Sequence, residues 1–550
     1  MELNVRMKKD QVRLLGGAFA AALVALSGCY SYKEPAVATL SESYTQRQKD
    51  SSDDMFKDIS VLTLREAQRI AIKNNPTYIS AYHSMQAARL KYLQAWGAYS
   101  PTITASFDMD YSARWMLNYD EEEYPDLEGH STRDHSFTTT TGIRANMLIF
   151  DGFARLFRLM AAKSNFNYQA KLEENACRTM MLSVAYAYNT VLLAIENRRI
   201  ASEDRDFQKS SLENTRHKFE AGAAPLSDVL NFEIYVNSAE VNLVGADYQY
   251  EVAIYALAQL MGYPEGVLPS HIKFPSDYKS EFAELPAVEL YLDAALANRP
   301  DLKAYREQLN IANYQVYQAW GAYSPEINGY FAWTYTTNNR KGYSTGEISR
   351  FHDNMGLSMG ITADWVIFNG AIRLNQLREA KAQRAVAEYS VASQWFAVVS
   401  EVRTAYANYV QNVKKTKLYA KIRSLSAEQR RLVDEEYRAG KAELTRLNEA
   451  QCDLVDAETA LASSYINVQN AKAQLTSVVG GQGANYYLGE ESDERYPGLD
   501  GVKEAVASAE SGNAGAQTES VKAPDIKREF PKKNNVPAIP ESATAAPAAK

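Results

Sequence analysis

Apolar and polar residues alternate strictly from Thr102 to Trp115. Ile103, Ala105, Phe107, Met109, Tyr111, Ala113 and Trp115 fall on one side; Thr102, Thr104, Ser106, Asp108, Asp110, Ser112 and Arg114 fall on the other. A period of two predicts a strand with unlike faces. Three further stretches behave alike. Ile143, Ala145, Met147 and Ile149 oppose Arg144 and Asn146, and Ile327, Phe331, Trp333 and Tyr335 oppose Asn328, Thr334 and Thr336. Leu357, Met359, Ile361, Ala363, Trp365 and Ile367 oppose Gly356, Ser358, Gly360, Thr362 and Asp364. Half-buried strands of a soluble sandwich share this alternation. The strands' length, aromatic ends and polar second face instead fit lipid outside and water inside. Phe107, Tyr111, Trp115, Phe331, Trp333, Tyr335 and Trp365 are then expected to face lipid. Four strands cannot close a membrane barrel, whose smallest members have about eight, and open sheet edges do not survive in lipid. Several chains must share one barrel; three would supply twelve strands.

Elsewhere the period is helical. From Phe153 to near Phe219 there is neither Pro nor Gly, and Met181, Val184, Tyr188, Val191 and Ile195 recur at helical spacing. About 65 residues at about 1.5 Å each make a helix of about 100 Å. A heptad follows, with Val229, Val236, Leu243, Tyr250 and Leu257 alongside Phe232, Ala239, Ala246, Ala253 and Leu260. Leu447, Leu454, Leu461, Val468 and Leu475 form a second one with Ala450, Ala457, Ser464, Ala471 and Val478. Small residues in the second series let two axes approach closely. Two antiparallel coiled-coil hairpins are predicted, turning near Gly222 and Gly440.

The chain repeats itself. Gln94-Ala-Trp-Gly-Ala-Tyr-Ser-Pro101 recurs letter for letter at Gln318 to Pro325, an offset of 224, which also relates Pro76 to Pro300. Ile149-Phe-Asp-Gly152 matches Ile367-Phe-Asn-Gly370 at an offset of 218, which also relates Ala221-Gly222 to Ala439-Gly440. The first copy therefore carries six extra residues between its motifs. A unit this long is a duplicated half, not a short solenoid module.

The ends differ from the middle. Lys8, Lys9 and Arg13 precede an apolar run from Leu14 to Leu26, the pattern of an export signal. Leu26-Ser27-Gly28-Cys29 resembles the bacterial lipobox, which implies cleavage before Cys29 and a lipid on its thiol. By the same resemblance, Tyr30 in place of Asp favours the outer over the inner membrane. An ordinary signal peptide with an incidental Cys is the alternative. From about Glu490 the composition turns to Ala, Glu, Ser, Lys and Pro, which cannot bury a core and predicts a disordered tail. The expected divisions are 1–28 signal peptide, 29–61 anchored segment, 62–264 first repeat, 265–285 connection, 286–481 second repeat and 482–550 tail. A net charge of -8 argues against nucleic-acid binding. Three Cys argue against a disulfide scaffold. Beyond the first thirty residues, no run of 18 or more apolar residues predicts a spanning helix.

Lipobox, twofold repeat, two strands per half and heptad hairpins turning at Ala-Gly together resemble the TolC family of outer-membrane efflux proteins, from about Leu62 to Gly481. The resemblance implies an α+β membrane protein: a homotrimer with a twelve-stranded barrel in outer-membrane lipid, continued by a periplasmic helical tunnel. It also implies a periplasmic adaptor, met by Ala221-Gly222-Ala223 and Ala439-Gly440-Lys441, and an inner-membrane transporter that supplies the energy. Relatives often place an Asp just past each tip, and Asp228 matches. The second half departs with Arg446, near Glu443 and Glu449. Asp228 and Arg446 are therefore a candidate gate pair, against a solvated face of mixed charge. His130, Asp134 and His135 lie among the acidic residues Asp120, Glu121, Glu122, Glu123, Asp126 and Glu128, but show no closed ligand set. No nucleophile elbow, phosphate loop or HExxH motif occurs, so neither enzyme nor cofactor is expected. The expected function is the passive exit duct of a tripartite efflux system. A duct for type I protein secretion is the alternative within that class, and a structural coiled-coil lipoprotein the alternative outside it.

Overall fold

The computed structural model describes residue 56 and residues 59–115, 133–263, 266–269, 271–275, 282, 285–343 and 347–481. Cys29, the signal segment, His130 and the tail from 482 lie outside the described residues. Helix α1 (Leu64–Asn74) opens on a capping box in which Thr63 Oγ1 accepts from the Glu66 amide and Glu66 Oε2 accepts from the Thr63 amide. Asn75 closes α1 and caps α2 (Pro76–Gly97), accepting from the Thr77 and Tyr78 amides, with Pro76 pre-set for the first turn. Strands β1 (Thr102–Trp115) and β2 (Arg133–Phe150) follow, then helices α3 (Ala154–Glu220) and α4 (Leu226–Met261). The same order then recurs: α5 (Val288–Asn298), α6 (Pro300–Gly321), β3 (Glu326–Tyr343), β4 (Glu347–Asp364), α7 (Ile372–Arg438) and α8 (Leu444–Val478). Both α3 and α7 run 67 residues, about 100 Å.

The strands form one antiparallel sheet in the order β1-β2-β3-β4. Its register lines the odd-numbered residues into rows: Ile103, Ala145, Phe331 and Met359; then Ala105, Ile143, Trp333 and Leu357; then Phe107, Thr141, Tyr335 and Met355. The even rows are polar, such as Asp108, Thr140, Thr336 and Asn354. One face is thus apolar across all four strands. Three strands are longer than their alternation predicts. β2 starts at Arg133, β3 runs on to Tyr343 and β4 starts at Glu347. β4 ends at Asp364, short of the alternation that runs on to Ile367, and exposed Trp365 stands just past it, where its Nε1 donates to the Tyr323 carbonyl at 3.1 Å. The Trp115 side chain lies outside the described positions.

α3 and α4 form one helical hairpin, α7 and α8 the other, and α3 packs on α8, giving the lateral order α4-α3-α8-α7. The heptads do the packing: Val229, Phe232, Val236, Ala239, Ala246, Ala253 and Leu257 are buried in α4, and Leu447, Ala450, Ala457, Ser464, Ala471 and Leu475 in α8. By length and composition α3 alone among the described helices is apolar enough to cross a membrane, and half of that stretch is buried in the helical core. That core gathers Phe56, Leu62, Ile70, Val184, Tyr188, Leu257 and Met261 around α1, α3 and α4.

Candidate functional site

Three places carry chemistry: the sheet's two faces, the corners where strands become long helices, and the hairpin tips. On the apolar face Phe107 and Tyr111 are well exposed, Phe331 moderately, and Trp333 and Tyr335 half-buried. The polar face bears Asp108 and Asp110, and Arg144 stacks over the Tyr330 ring at 5.5 Å. His135 bonds the Tyr111 hydroxyl at 2.8 Å. Among the described residues no group of three His, Cys, Asp or Glu is placed to hold a metal.

At each corner two consecutive residues are left-handed: Gly152 (φ 65°) and Phe153 (φ 64°), Gly370 (φ 67°) and Ala371 (φ 65°). Phe153 and Ala371 pay a steric cost there. An arginine two residues on pins each corner. Arg155 donates to the carbonyls of Ala98 and Leu148 and lies 4.2 Å over the Tyr99 ring. Arg373 donates to those of Ala322 and Ile367 and lies 5.3 Å over Tyr323. The repeated Ala-Tyr of the octapeptide is thus an arginine seat. Its signal in the sequence was the Arg three residues after each repeated Gly.

The two tips are built alike. Gly222 (φ 70°) donates to the Phe219 carbonyl and Ala223 to the Lys218 carbonyl; Gly440 (φ 71°) donates to Tyr437 and Lys441 to Glu436. This crossed pair of bonds is a Schellman ending, and its left-handed position suits Gly. Ala221, Gly222, Ala223, Ala439, Gly440 and Lys441 are all exposed. Glu443 precedes α8, exposed like Glu449. Asp228 is half-buried and accepts from Ser227 Oγ at 3.5 Å, while exposed Arg446 lies 3.5 Å from Glu436. No ion pair joins Asp228 and Arg446 within the chain. Behind the tips, Phe232, Val433, Leu444 and Leu447 form a core shared by both hairpins, and Lys218 lies 4.6 Å over the Tyr437 ring.

Above that core the α3–α8 seam is polar. Asn189 donates to Asn470 at 2.8 Å, Gln208 to Asn448 at 3.4 Å and Gln451 to Asp204 at 2.9 Å. Burial pushes the Asp204 carboxyl above the usual range, against the hydrogen bonds from Gln451 and Gln208. Further up, Arg299 is fully buried and holds Asp301 and Glu401 (2.6 Å), while Arg178 reaches Asp301 at 3.7 Å and the Ser477 carbonyl at 3.1 Å. Sequence reasoning missed this cluster because its members come from four elements of both halves.

A family model described as Outer membrane efflux protein matches residues 68–263 and 291–481. The chain is 21% identical over 427 residues to the alkaline protease secretion protein AprF of Pseudomonas aeruginosa, covering 76% of this chain and 82% of the relative. It is 25% identical over 423 residues to the outer membrane efflux protein BepC of Brucella suis biovar 1, covering 76% and 85%. Its fold is similar to the open-state MtrE outer membrane channel of Neisseria gonorrhoeae, with a TM-score of 0.59, 21% identity and coverage of 76% and 89%.

Proposed function

The chain belongs to the outer membrane efflux protein family, and we propose that it is the outer-membrane exit channel of a tripartite export system, conducting substrates passively. The observation that carries this reading is the pairing of one sheet, apolar on one face and polar on the other, with hairpins of about 100 Å. A sheet with free edges at β1 and β4 is not viable in lipid. Three copies close it into a barrel of twelve strands, and their hairpins line a periplasmic tunnel. Ala221 to Ala223 and Ala439 to Lys441 then meet the adaptor, whose inner-membrane pump supplies the energy. Cys29 anchors the mature chain in the same membrane. Protein secretion is a second reading, favoured by the likeness to AprF, whose name concerns alkaline protease secretion.

The assembly is tested by native mass spectrometry of the detergent-extracted protein. Three copies per particle are expected. A monomer that remains folded in every mild detergent tried would overturn the shared barrel.

A further inference from the structure

Charge is distributed unevenly along the two long helices. Toward the tips the cations are neutralised: Arg199 holds Glu196 and Glu203, Lys209 holds Glu240, Arg216 holds Glu233, and Arg431 holds Glu428 and Glu435. Next to the sheet they are not. Lys163 on α3 and Arg378 and Lys381 on α7 are exposed, and none of them has an ion pair among the described residues. Glu379, the neighbouring acid, instead accepts from Gln383 Nε2 at 3.1 Å.

The side chains on this part of α7 are ordered by depth. Leu374, Arg378 and Lys381 follow one another at steps of four and three, so they share one stripe of the helix. All three are exposed. Arg378 and Lys381 stand about 9 and 14 Å from the start of α7, and helical side chains lean toward the N-terminus, which here is the sheet. The Lys381 ammonium accordingly lies 5.6 Å over the ring of Trp320, in the last turn of α6. Trp320 is exposed, and its ring lies 5.7 Å from that of Tyr323. The Tyr323 carbonyl accepts from Trp365, which continues the alternation of the apolar face. Contacts therefore run unbroken from that face to Lys381. The repeat shows that the stripe stays open when helices pack on both flanks. α3 is flanked by α2 and α6, yet Met160 and Lys163, the counterparts of Arg378 and Lys381 at the offset of 218, remain exposed.

We infer that Leu374, Arg378, Lys381 and Trp320 form a binding site for an anionic glycerophospholipid of the periplasmic leaflet. The inference rests on the outer-membrane reading above. An acyl chain lies along Leu374 below the sheet's apolar face, and Trp320 takes the interfacial level that Trp favours in membranes. The phosphate meets the Arg378 guanidinium and the Lys381 ammonium. A head group of net negative charge is selected, because the stripe holds two cations and its neighbouring carboxylate is turned to Gln383. With Met160 in the place of Arg378, the first half carries only part of this set.

A photocrosslinker tests the site where it stands. Leu374→p-benzoylphenylalanine in the detergent-extracted full chain is offered limiting fluorescent phosphatidylglycerol or phosphatidylcholine. Each cation beside an anionic head group contributes about five-fold, so phosphatidylglycerol should label about twenty-five-fold better. Arg378→Gln with Lys381→Gln should bring the two lipids to parity at unchanged helix content. Arg423→Gln with Arg431→Gln removes two paired cations lower on the same helix and should keep the preference. Equal labelling by both lipids overturns the site, as does a preference that survives Arg378→Gln with Lys381→Gln. Loss of the preference in the paired-cation variant would reduce the effect to bulk charge and overturn it too. Soluble glycerol phosphate that competes as well as phosphatidylglycerol would leave a bare anion site and overturn the lipid. Labelling is read on the folded particle whatever its mass, so a monomer overturns the shared barrel alone.

Discussion

At the residue scale, two proposals rest on single side chains. Cys29 ends an apolar run and closes the Leu-Ser-Gly-Cys motif. Labelled palmitate should enter the wild type and not Cys29→Ser, with membrane residence reduced but retained because the barrel also holds the protein in lipid; equal labelling would refute the anchor. Asp228 and Arg446 each stand six residues past a tip glycine, about 9 Å along the helix. Within the chain Arg446 lies 3.5 Å from Glu436, and the proposed partnership with Asp228 forms within one copy or between copies. Asp228→Arg or Arg446→Asp gives a ring of six like charges in a trimer, and basal conductance should rise severalfold through repulsion. The double swap should restore closure in part. A double mutant as leaky as the sum of the singles would reject the pairing.

At the scale of elements, regular pattern was legible and mixed pattern was not. The heptads in α4 and α8 predicted burial correctly because one face of a helix repeats a core position every seven residues. The two tip glycines were legible as turns, and their left-handed backbone gives the reason. The outer parts of the strands were not. Thr138 to Thr141 put hydroxyls on both faces of β2, and His352, Asp353 and Asn354 make β4 polar on both sides, so a period of two is silent there. At the other end of β4 the pattern overruns the strand, since Trp365 and Ile367 continue the alternation past the last ladder pair at Asp364. The Arg299 cluster was invisible because Arg178, Arg299 and Glu401 are about a hundred residues apart in sequence. The tips themselves give a prediction. Val at Gly222 or Gly440 costs roughly 1–2 kcal/mol in a left-handed position, in open space where no neighbour is displaced. Adaptor crosslinking and export should therefore fall while the trimer persists; unchanged crosslinking in both variants would remove the tips from the adaptor interface.

At the scale of the molecule, one chain leaves open surfaces, and in the proposed assembly further copies complete them. The apolar sheet face asks for lipid, the free edges ask for more strands, and the polar face asks for water inside a closed wall. Helices of about 100 Å carry that wall away from the membrane. A coiled-coil lipoprotein that merely braces an envelope has no use for such a sheet. Single-channel recording in planar bilayers separates the two most directly. The purified, folded protein should insert and produce discrete conductance steps of uniform size without any energy source. Stable insertion of the folded protein with no such steps, in the wild type and in Asp228→Arg alike, would contradict a conduit.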